Sequence, residues 1–158
     1  YFASLDSSKL SLSSPYFKAM QFLKSEGNYN ETVLEIPNKN ITATKEDVMR
    51  WYRVSTPAIV AFSNKRSYLS NEYIDFTGAD IVPRVNFIRK IILLNNLPLG
   101  EPAEYVSLQK EVEQGLRNNK IVFVYSPYPL LVFEKTKFIH KIFENRAASI
   151  YRVEYQSY

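Results

Sequence analysis

The sequence predicts an α/β fold, with a mainly parallel sheet flanked by helices and an antiparallel β-hairpin at the carboxyl end. Two short apolar runs, 58–62 and 121–125, are typical of fully buried strands. Amphipathic segments with helical spacing separate these runs, and that alternation favours parallel strands with helices on the faces of the sheet. Two further short apolar runs, 138–143 and 149–153, predict the hairpin.

The length and composition fit one globular domain. The chain has 158 residues, of which 46% are hydrophobic and 23% are charged, and this excludes a disordered chain or a fibre. Residues 1–13 are rich in serine, and we interpret them as a lead-in segment to a single domain over 14–158. Because the chain begins at Tyr1 and not at Met, we expect a fragment of a longer protein.

The first elements follow from local signals. Ser14 followed by proline is typical of a helix start and Gly27 of a helix end, which predicts a helix over 15–26. A β-branched segment predicts a strand over 32–36. A sequence that resembles a capping box then opens a short helix over 44–53.

The second half continues the alternation. Residues 73–76 alternate in polarity and predict a strand, and Pro83 begins a helix with apolar residues at helical spacing. A clean amphipathic pattern predicts a helix over 103–117, before the buried strand. The segment 130–137 is ambiguous between a helical turn and a loop, and a helix over 130–144 is the alternative to the first strand of the hairpin.

The composition limits the chemistry. Cysteine is absent and His140 is the only histidine, which excludes disulfides, thiolate nucleophiles and metal sites with several imidazoles. The four glycines do not form a phosphate-binding loop. The net charge of +4 is spread along the chain and predicts a solvated surface. We therefore expect no metal, no cofactor and no nucleic-acid partner.

No residue stands out as catalytic. The sequence has no sharp serine elbow of the kind that presents a nucleophile. Asp47, Asp75 and Asp80 are candidates for acid or base work, but a helix start, an exposed strand position and a turn explain them better. The segment 50–53 places Trp and Tyr between two arginines, and we favour packing on the sheet over stacking on bases.

Polar residues follow the two strands that the sequence predicts to be buried. In an open α/β sheet, ligands bind outside the carboxyl ends of the strands. We therefore expect a small polar or anionic ligand at that edge, if the chain binds one. The candidate ligand-binding residues are Ser63, Asn64, Lys65, Arg66, Ser126 and Tyr128.

Three parts of the chain, taken together, resemble a known family. Residues 14–24 followed by 30–34 are similar to a helix-then-strand pattern that polytopic GT-C-type membrane glycosyltransferases often have after their last membrane helix. Residues 119–124 resemble a later strand of those domains. Residues 138–145 and 149–153 look like their closing hairpin.

The resemblance implies a non-catalytic domain on the extracytoplasmic face of the cell membrane, in a glycosyltransferase-like protein. Its partners would be the membrane-spanning part of the same protein and a glycan or lipid-linked sugar. Catalytic acids of this family commonly lie in loops of the membrane part, and the Trp-Trp-Asp-Tyr-Gly motif of related soluble domains is absent, so no catalytic residue is carried over. The alternatives are a free-standing ligand-binding or sensory α/β domain and a hydrolase or transferase that uses Asp and Ser.

Overall fold

The computed structural model of the protein describes residues 11–54, 58–69, 81–97 and 102–155. Within these ranges, helices lie on both faces of a five-stranded sheet with the strand order β2-β1-β3-β5-β4. The elements in chain order are α1 (Pro15–Ser25), β1 (Thr32–Glu35), α2 (Lys45–Val54), α3 (Ala58–Ser63), β2 (Arg66–Ser67), α4 (Ile81–Asn96), α5 (Pro102–Asn118), β3 (Ile121–Ser126), α6 (Leu131–Glu134), β4 (Ile139–Glu144) and β5 (Ser149–Val153).

The sheet is mixed, which corrects the prediction of a mainly parallel sheet. Strand β1 pairs in parallel with β2 on one side and with β3 on the other. Strand β5 runs antiparallel to both β3 and β4, so the hairpin supplies two of the five described strands. The α/β class and the antiparallel hairpin at the carboxyl end are confirmed.

The apolar run 58–62 lies in helix α3, and the predicted strand at this position is wrong. A short apolar run has no period that distinguishes a buried helix from a buried strand. Ile59 of α3 is buried in one cluster with Met20 and Leu23 of α1, so the helix meets its apolar partners on another helix. The strand that pairs with β1 on the side away from β3 is the polar pair Arg66–Ser67. Two residues are too few to show an alternation of apolar and polar side chains.

Helix α1 begins at the residue that its capping signals predict. Its last residue, Ser25, is one residue before the predicted end. The Ser14 hydroxyl accepts a hydrogen bond from the Phe17 N–H at 3.1 Å, and Pro15 is the first helical residue. Gly27 follows the end of the helix with a φ of +58°. A β-carbon at this position would lie 2.1 Å from the carboxylate of Glu31, so a side chain here would strain the backbone and displace that carboxylate.

The other predicted elements differ from the structure mainly at their ends. Helix α4 begins at Ile81, two residues before Pro83, since proline is tolerated in the first turn of a helix. The predicted helix over 103–117 is α5, and the ambiguous segment contains the single turn α6. The alternative helix over 130–144 is wrong, because Ile139–Glu144 form β4. The strand predicted over 73–76 and most of the lead-in segment lie outside the described residues.

The sheet separates two apolar clusters. Val33 and Phe123 contribute to a smaller cluster with α1 and α3. Their neighbours along the strands, Leu34 and Val124, contribute to a larger cluster with α2, α4, α5 and α6. Successive residues of a strand face opposite sides of a sheet, so β1 and β3 each supply both layers.

Helices α4 and α5 approach closely at Gly115. A β-carbon there would lie 2.2 Å from the ring of Phe87, which is buried and packs edge-to-face on Tyr68 at 5.8 Å between ring centroids. Glycine inside a helix costs about 0.5–1 kcal/mol relative to alanine. The close approach of the ring explains why glycine stands at this helical position.

We expect Gly115→Ala to lower the free energy of unfolding by about 1–2 kcal/mol, because displacement of the Phe87 ring outweighs the better helix propensity of alanine. Urea unfolding measures this difference. The exposed neighbour gives the control Gln114→Ala, which should change stability by less than about 0.5 kcal/mol. A Gly115→Ala protein that is more stable than the native one would contradict the packing argument.

Candidate functional site

The six candidate ligand-binding residues lie at opposite ends of the parallel strands. Arg66 pairs with Thr32 at the start of β1, and Thr32 pairs with Ile121 at the start of β3. Ser126, in contrast, is the last residue of β3, and Tyr128 follows it. The residues Ser63–Arg66 run from the end of α3 to the start of β2, so they lead into a strand and do not follow one. The structure therefore brings the candidates together as two separate groups.

The group at the amino ends of the strands supports the loop before β1. The Ser63 hydroxyl is buried and donates to the carbonyl of Ile59, which is one turn earlier in α3. The carbonyl of Asn64 accepts from the N–H of Asn30 at 3.2 Å. Arg66 is exposed. These contacts connect α3 to the turn that leads into β1.

Lys65 is the anchor of this group. Its side chain is 2% exposed, and its ammonium donates to the carbonyl oxygens of Glu26 and Asn28, the latter at 2.7 Å. The carboxylate of Glu31 lies 3.6 Å away and accepts from the Asn28 N–H at 2.8 Å. Because these internal acceptors surround the ammonium, Lys65 holds the α1–β1 loop in place and is not presented to a ligand.

The group at the carboxyl edge of the sheet shapes a turn. The Ser126 hydroxyl donates to the carbonyl of Tyr128 and accepts from the Tyr128 N–H at 3.3 Å. Ser126 is fully buried, so its hydroxyl serves the backbone, whereas the ring of Tyr128 is only half-buried. Tyr128, one of the six candidates, lines an open cavity.

That cavity, which we call the carboxyl-edge cleft, has a volume of about 380 Å³. Three segments form it: the loop after β1, the loop after β3, and the β4–β5 turn with the start of β5. They meet because β3 lies between β1 and β5 in the sheet. The lining residues are Asn38, Lys39, Pro127, Tyr128, Pro129, Glu144, Asn145, Arg146, Ala148 and Ser149.

Sequence reasoning missed most of this lining. Asn38 and Lys39 follow a proline in a short polar segment typical of a turn, and 144–148 only separates the two apolar runs of the predicted hairpin. The strand order could have predicted this lining, because a strand that pairs antiparallel with β3 begins at the edge where β3 ends. Had 149–153 been placed beside 121–125, the hairpin turn would have been predicted at the same edge as Tyr128.

Asn145 fixes the shape of the β4–β5 turn. Its side-chain oxygen accepts from the N–H groups of Ala147, at 2.8 Å, and Ala148, at 3.0 Å. Its side-chain nitrogen donates to the carbonyl of Pro15 at 2.7 Å, which ties the turn to the first turn of α1. Asn145 is thereby occupied, and the next residue, Arg146, has its side chain exposed.

The charges in the cleft are unevenly paired. Glu144 shares a cation with Glu134, because Lys141 lies 3.1 Å from the Glu144 carboxylate and 2.8 Å from that of Glu134. The Lys39 ammonium lies 5.4 Å from the centroid of the Tyr128 ring. Neither Lys39 nor Arg146 forms an ion pair with any described residue. Burial raises the pKa of Tyr128, so its hydroxyl stays protonated at neutral pH and can donate or accept.

The other residues that the sequence singled out have structural roles or lie outside the described ranges. Asp47 accepts from the Thr42 hydroxyl at 2.5 Å at the start of α2. Trp51 is buried in the larger cluster, which confirms the packing interpretation. His140 is exposed on β4, 3.5 Å from the carboxylate of Glu154. Asp75 and Asp80 are not among the described residues.

Sequence reasoning did not single out Glu35, although its carboxyl group has an unusual environment. It is the last residue of β1 and pairs with Tyr125 of β3. Burial raises the pKa of the Glu35 carboxyl to about 7. Burial, and the nearby Glu35 charge, raise the pKa of Tyr16 and of Tyr125, whose rings meet edge-to-face at 6.4 Å between centroids. Glu35 therefore titrates near neutrality beside two phenols that remain neutral.

Lys65→Met should lower the free energy of unfolding by about 2–4 kcal/mol, because two carbonyls and the Glu31 carboxylate lose their buried partner. Urea unfolding checks this value. The exposed neighbour provides the control Arg66→Ala, for which a change below about 0.5 kcal/mol is expected. Equal effects of the two variants would show that Lys65 is not the anchor of the loop.

Glu35→Gln should change the pH dependence of stability. The folded protein retains a proton on Glu35 that the unfolded chain releases between the ordinary pKa of 4.5 and about 7. Stability contributed by this group therefore falls as the pH rises through that interval. At pH 8 we expect Glu35→Gln to be more stable than the native protein by about 1–3 kcal/mol, with no such gain at pH 4.

Urea unfolding from pH 4 to pH 8 measures this effect. The exposed residue Glu104 gives the matched control Glu104→Gln, which should follow the native pH profile. If Glu35→Gln followed that same profile, a raised pKa of the Glu35 carboxyl would be excluded.

Comparison of the chain with protein-family models, with curated proteins and with solved structures gave no match. The longest helix in the described ranges, α5, has 17 residues, and no helix there has the length and apolar character needed to cross a membrane. In the same ranges, acidic and histidine side chains do not form a cluster of three or more that could hold a metal ion.

Proposed function

We propose that this chain is a non-catalytic extracytoplasmic domain of a membrane-embedded glycosyltransferase-like protein, and that its carboxyl-edge cleft binds a glycan or a glycosyl acceptor. The observation that carries the binding role is the cleft itself, an open cavity lined by a tyrosine ring and by amide, hydroxyl and charged groups. The membrane context rests on the family resemblance of the sequence.

The chemistry of the lining suits a sugar ring. A saccharide has apolar C–H faces and a rim of hydroxyls that both donate and accept hydrogen bonds. Tyr128 offers an aromatic face for the former, while the amide of Asn38 and the charged groups of Lys39 and Arg146 offer partners for the latter. A volume of about 380 Å³ is near the low end of the range for small-molecule sites, about 300–1,000 Å³, and suits a ligand of one or two rings.

The same lining gives little support to catalysis in the cleft. Glycoside hydrolysis commonly uses two carboxyl groups on either side of the scissile bond. The only carboxylate among the lining residues is Glu144, and Lys141 already binds it at 3.1 Å. A holding role, with chemistry performed elsewhere in a longer protein, fits this arrangement better than a hydrolase or transferase built on Asp and Ser.

The segments that carry the resemblance also frame the cleft. They correspond to α1 with β1, to β3, and to the hairpin β4–β5. The loops after β1 and β3 and the turn of the hairpin supply the lining. If the resemblance reflects kinship, the part of the chain that is similar to the family is the framework that positions the lining loops of the cleft.

Titration of the folded chain with methyl glucoside, maltose and glucuronate, followed by amide NMR, tests the binding role. We expect shifts at Asn38, Lys39 and Arg146. Tyr128→Ala should weaken binding about tenfold, equivalent to about 1.4 kcal/mol, while Tyr128→Phe retains the ring and most of the affinity.

Tyr29 supplies the matched control, since it is 73% exposed and lies in the loop before β1, at the other end of that strand. Tyr29→Ala should bind like the native protein. If none of the three sugars shifted the cleft amides, the saccharide-binding role would be excluded. If Tyr29→Ala weakened binding as much as Tyr128→Ala, the cleft would not be the site.

The membrane context has a separate test. The complete reading frame should encode several apolar spans of about 20 residues before Tyr1. A frame without such spans would leave the alternative, a free-standing ligand-binding or sensory domain that uses the same cleft.

A further inference from the structure

We propose that the cleft selects anionic saccharides, meaning sugars that carry a carboxylate or a phosphate group, and that Lys39 and Arg146 bind that group while Tyr128 packs on the ring. This inference rests on the proposed binding function and adds the class of ligand. It depends on the topology of the sheet edge and on the pairing of the charges around the cleft.

The topology places the two cations on either side of the tyrosine. Lys39 lies in the loop after β1, Tyr128 in the loop after β3, and Arg146 in the turn before β5. Because β3 lies between β1 and β5, the two outer segments begin about 10 Å apart. A lysine and an arginine side chain are long enough to reach across such a gap toward one anionic group.

The charge balance favours an anion. Lys141 binds Glu134 at 2.8 Å and Glu144 at 3.1 Å, so the one carboxylate of the lining is already engaged in an ion pair, which it shares with Glu134. The hydrogen bonds that Lys141 donates to Glu134 and Glu144 raise the pKa of Lys141, which keeps these ion pairs in place at neutral pH. The positive charges of Lys39 and Arg146 remain without a carboxylate partner among the described residues, and both side chains are exposed.

Lys39 and Arg146 can bind an anionic group in different ways. Arginine presents a planar fork that matches two oxygens of a carboxylate or phosphate group, whereas the ammonium of lysine acts as a point charge. The Lys39 ammonium already lies over the Tyr128 ring, at 5.4 Å from its centroid, so an anion that it binds is held beside that ring. A sugar attached to the anion can then pack on the aromatic face.

The test compares four probes on the folded chain at low salt: methyl glucoside, glucuronate, glucose 1-phosphate and inorganic phosphate. We expect glucuronate or glucose 1-phosphate to bind at least tenfold more tightly than methyl glucoside, and the stronger of the two identifies the anionic group. Affinity for the charged sugars should fall several-fold between 0.05 and 0.3 M salt, because exposed charges are screened.

The double variant Lys39→Gln/Arg146→Gln should reduce affinity for the charged sugars to that for methyl glucoside. The exposed residues Arg66 and Lys110 give a control with the same change in net charge, Arg66→Gln/Lys110→Gln, which should bind like the native protein. Equal weakening by both double variants would overturn the assignment to Lys39 and Arg146.

The remaining outcomes separate this inference from the proposed function. Equal affinity for methyl glucoside and the charged sugars would overturn the anionic selectivity and leave saccharide binding intact. Inorganic phosphate that bound as tightly as glucose 1-phosphate would show an anion site to which the sugar contributes nothing. Failure of all four probes would exclude the binding function and, with it, the selectivity.

Discussion

Strand β3 and its two neighbours are the constraint on which the rest of the structure depends. Five of its six residues are buried, and it pairs in parallel with β1 and antiparallel with β5. Its burial on both faces fixes the two apolar clusters, to which Phe123 and Val124 contribute from opposite sides. Because β1 runs parallel to β3 and β5 runs antiparallel to it, the ends of β1 and β3 and the start of β5 lie at a common edge of the sheet. The cleft forms at that edge.

The sequence was most informative where the determining interactions are local. Ser14 and Gly27 act within a few residues of themselves, so the limits of α1 could be predicted from their side-chain chemistry and backbone freedom. The amphipathic pattern of α5 and the hairpin near the carboxyl end were also visible along the chain. The helical state of 58–63 was not, because its packing against α1 decides between two conformations that the same apolar run permits.

In the candidate site, too, residues placed by local sequence were predicted and residues placed by the strand order were not. Tyr128 was predicted as a ligand-binding residue because it follows a buried strand, and it does line the cleft. Lys65 was predicted for the same reason from a strand that proved to be a helix, and its ammonium is buried among carbonyl oxygens. Lys39 and Arg146 were not predicted, since their proximity to Tyr128 depends on a strand order that no local pattern encodes.

The hydrogen bond from the side chain of Asn145 to the carbonyl of Pro15 joins residues 130 positions apart. A contact of such high sequence separation closes a long loop and incurs a correspondingly large loop-closure entropy. During synthesis from the amino end, α1 must therefore wait for almost the whole domain before the β4–β5 turn can dock on it. The carboxyl-edge cleft, which the β4–β5 turn helps to line, can therefore be completed only after the last two strands have been synthesised.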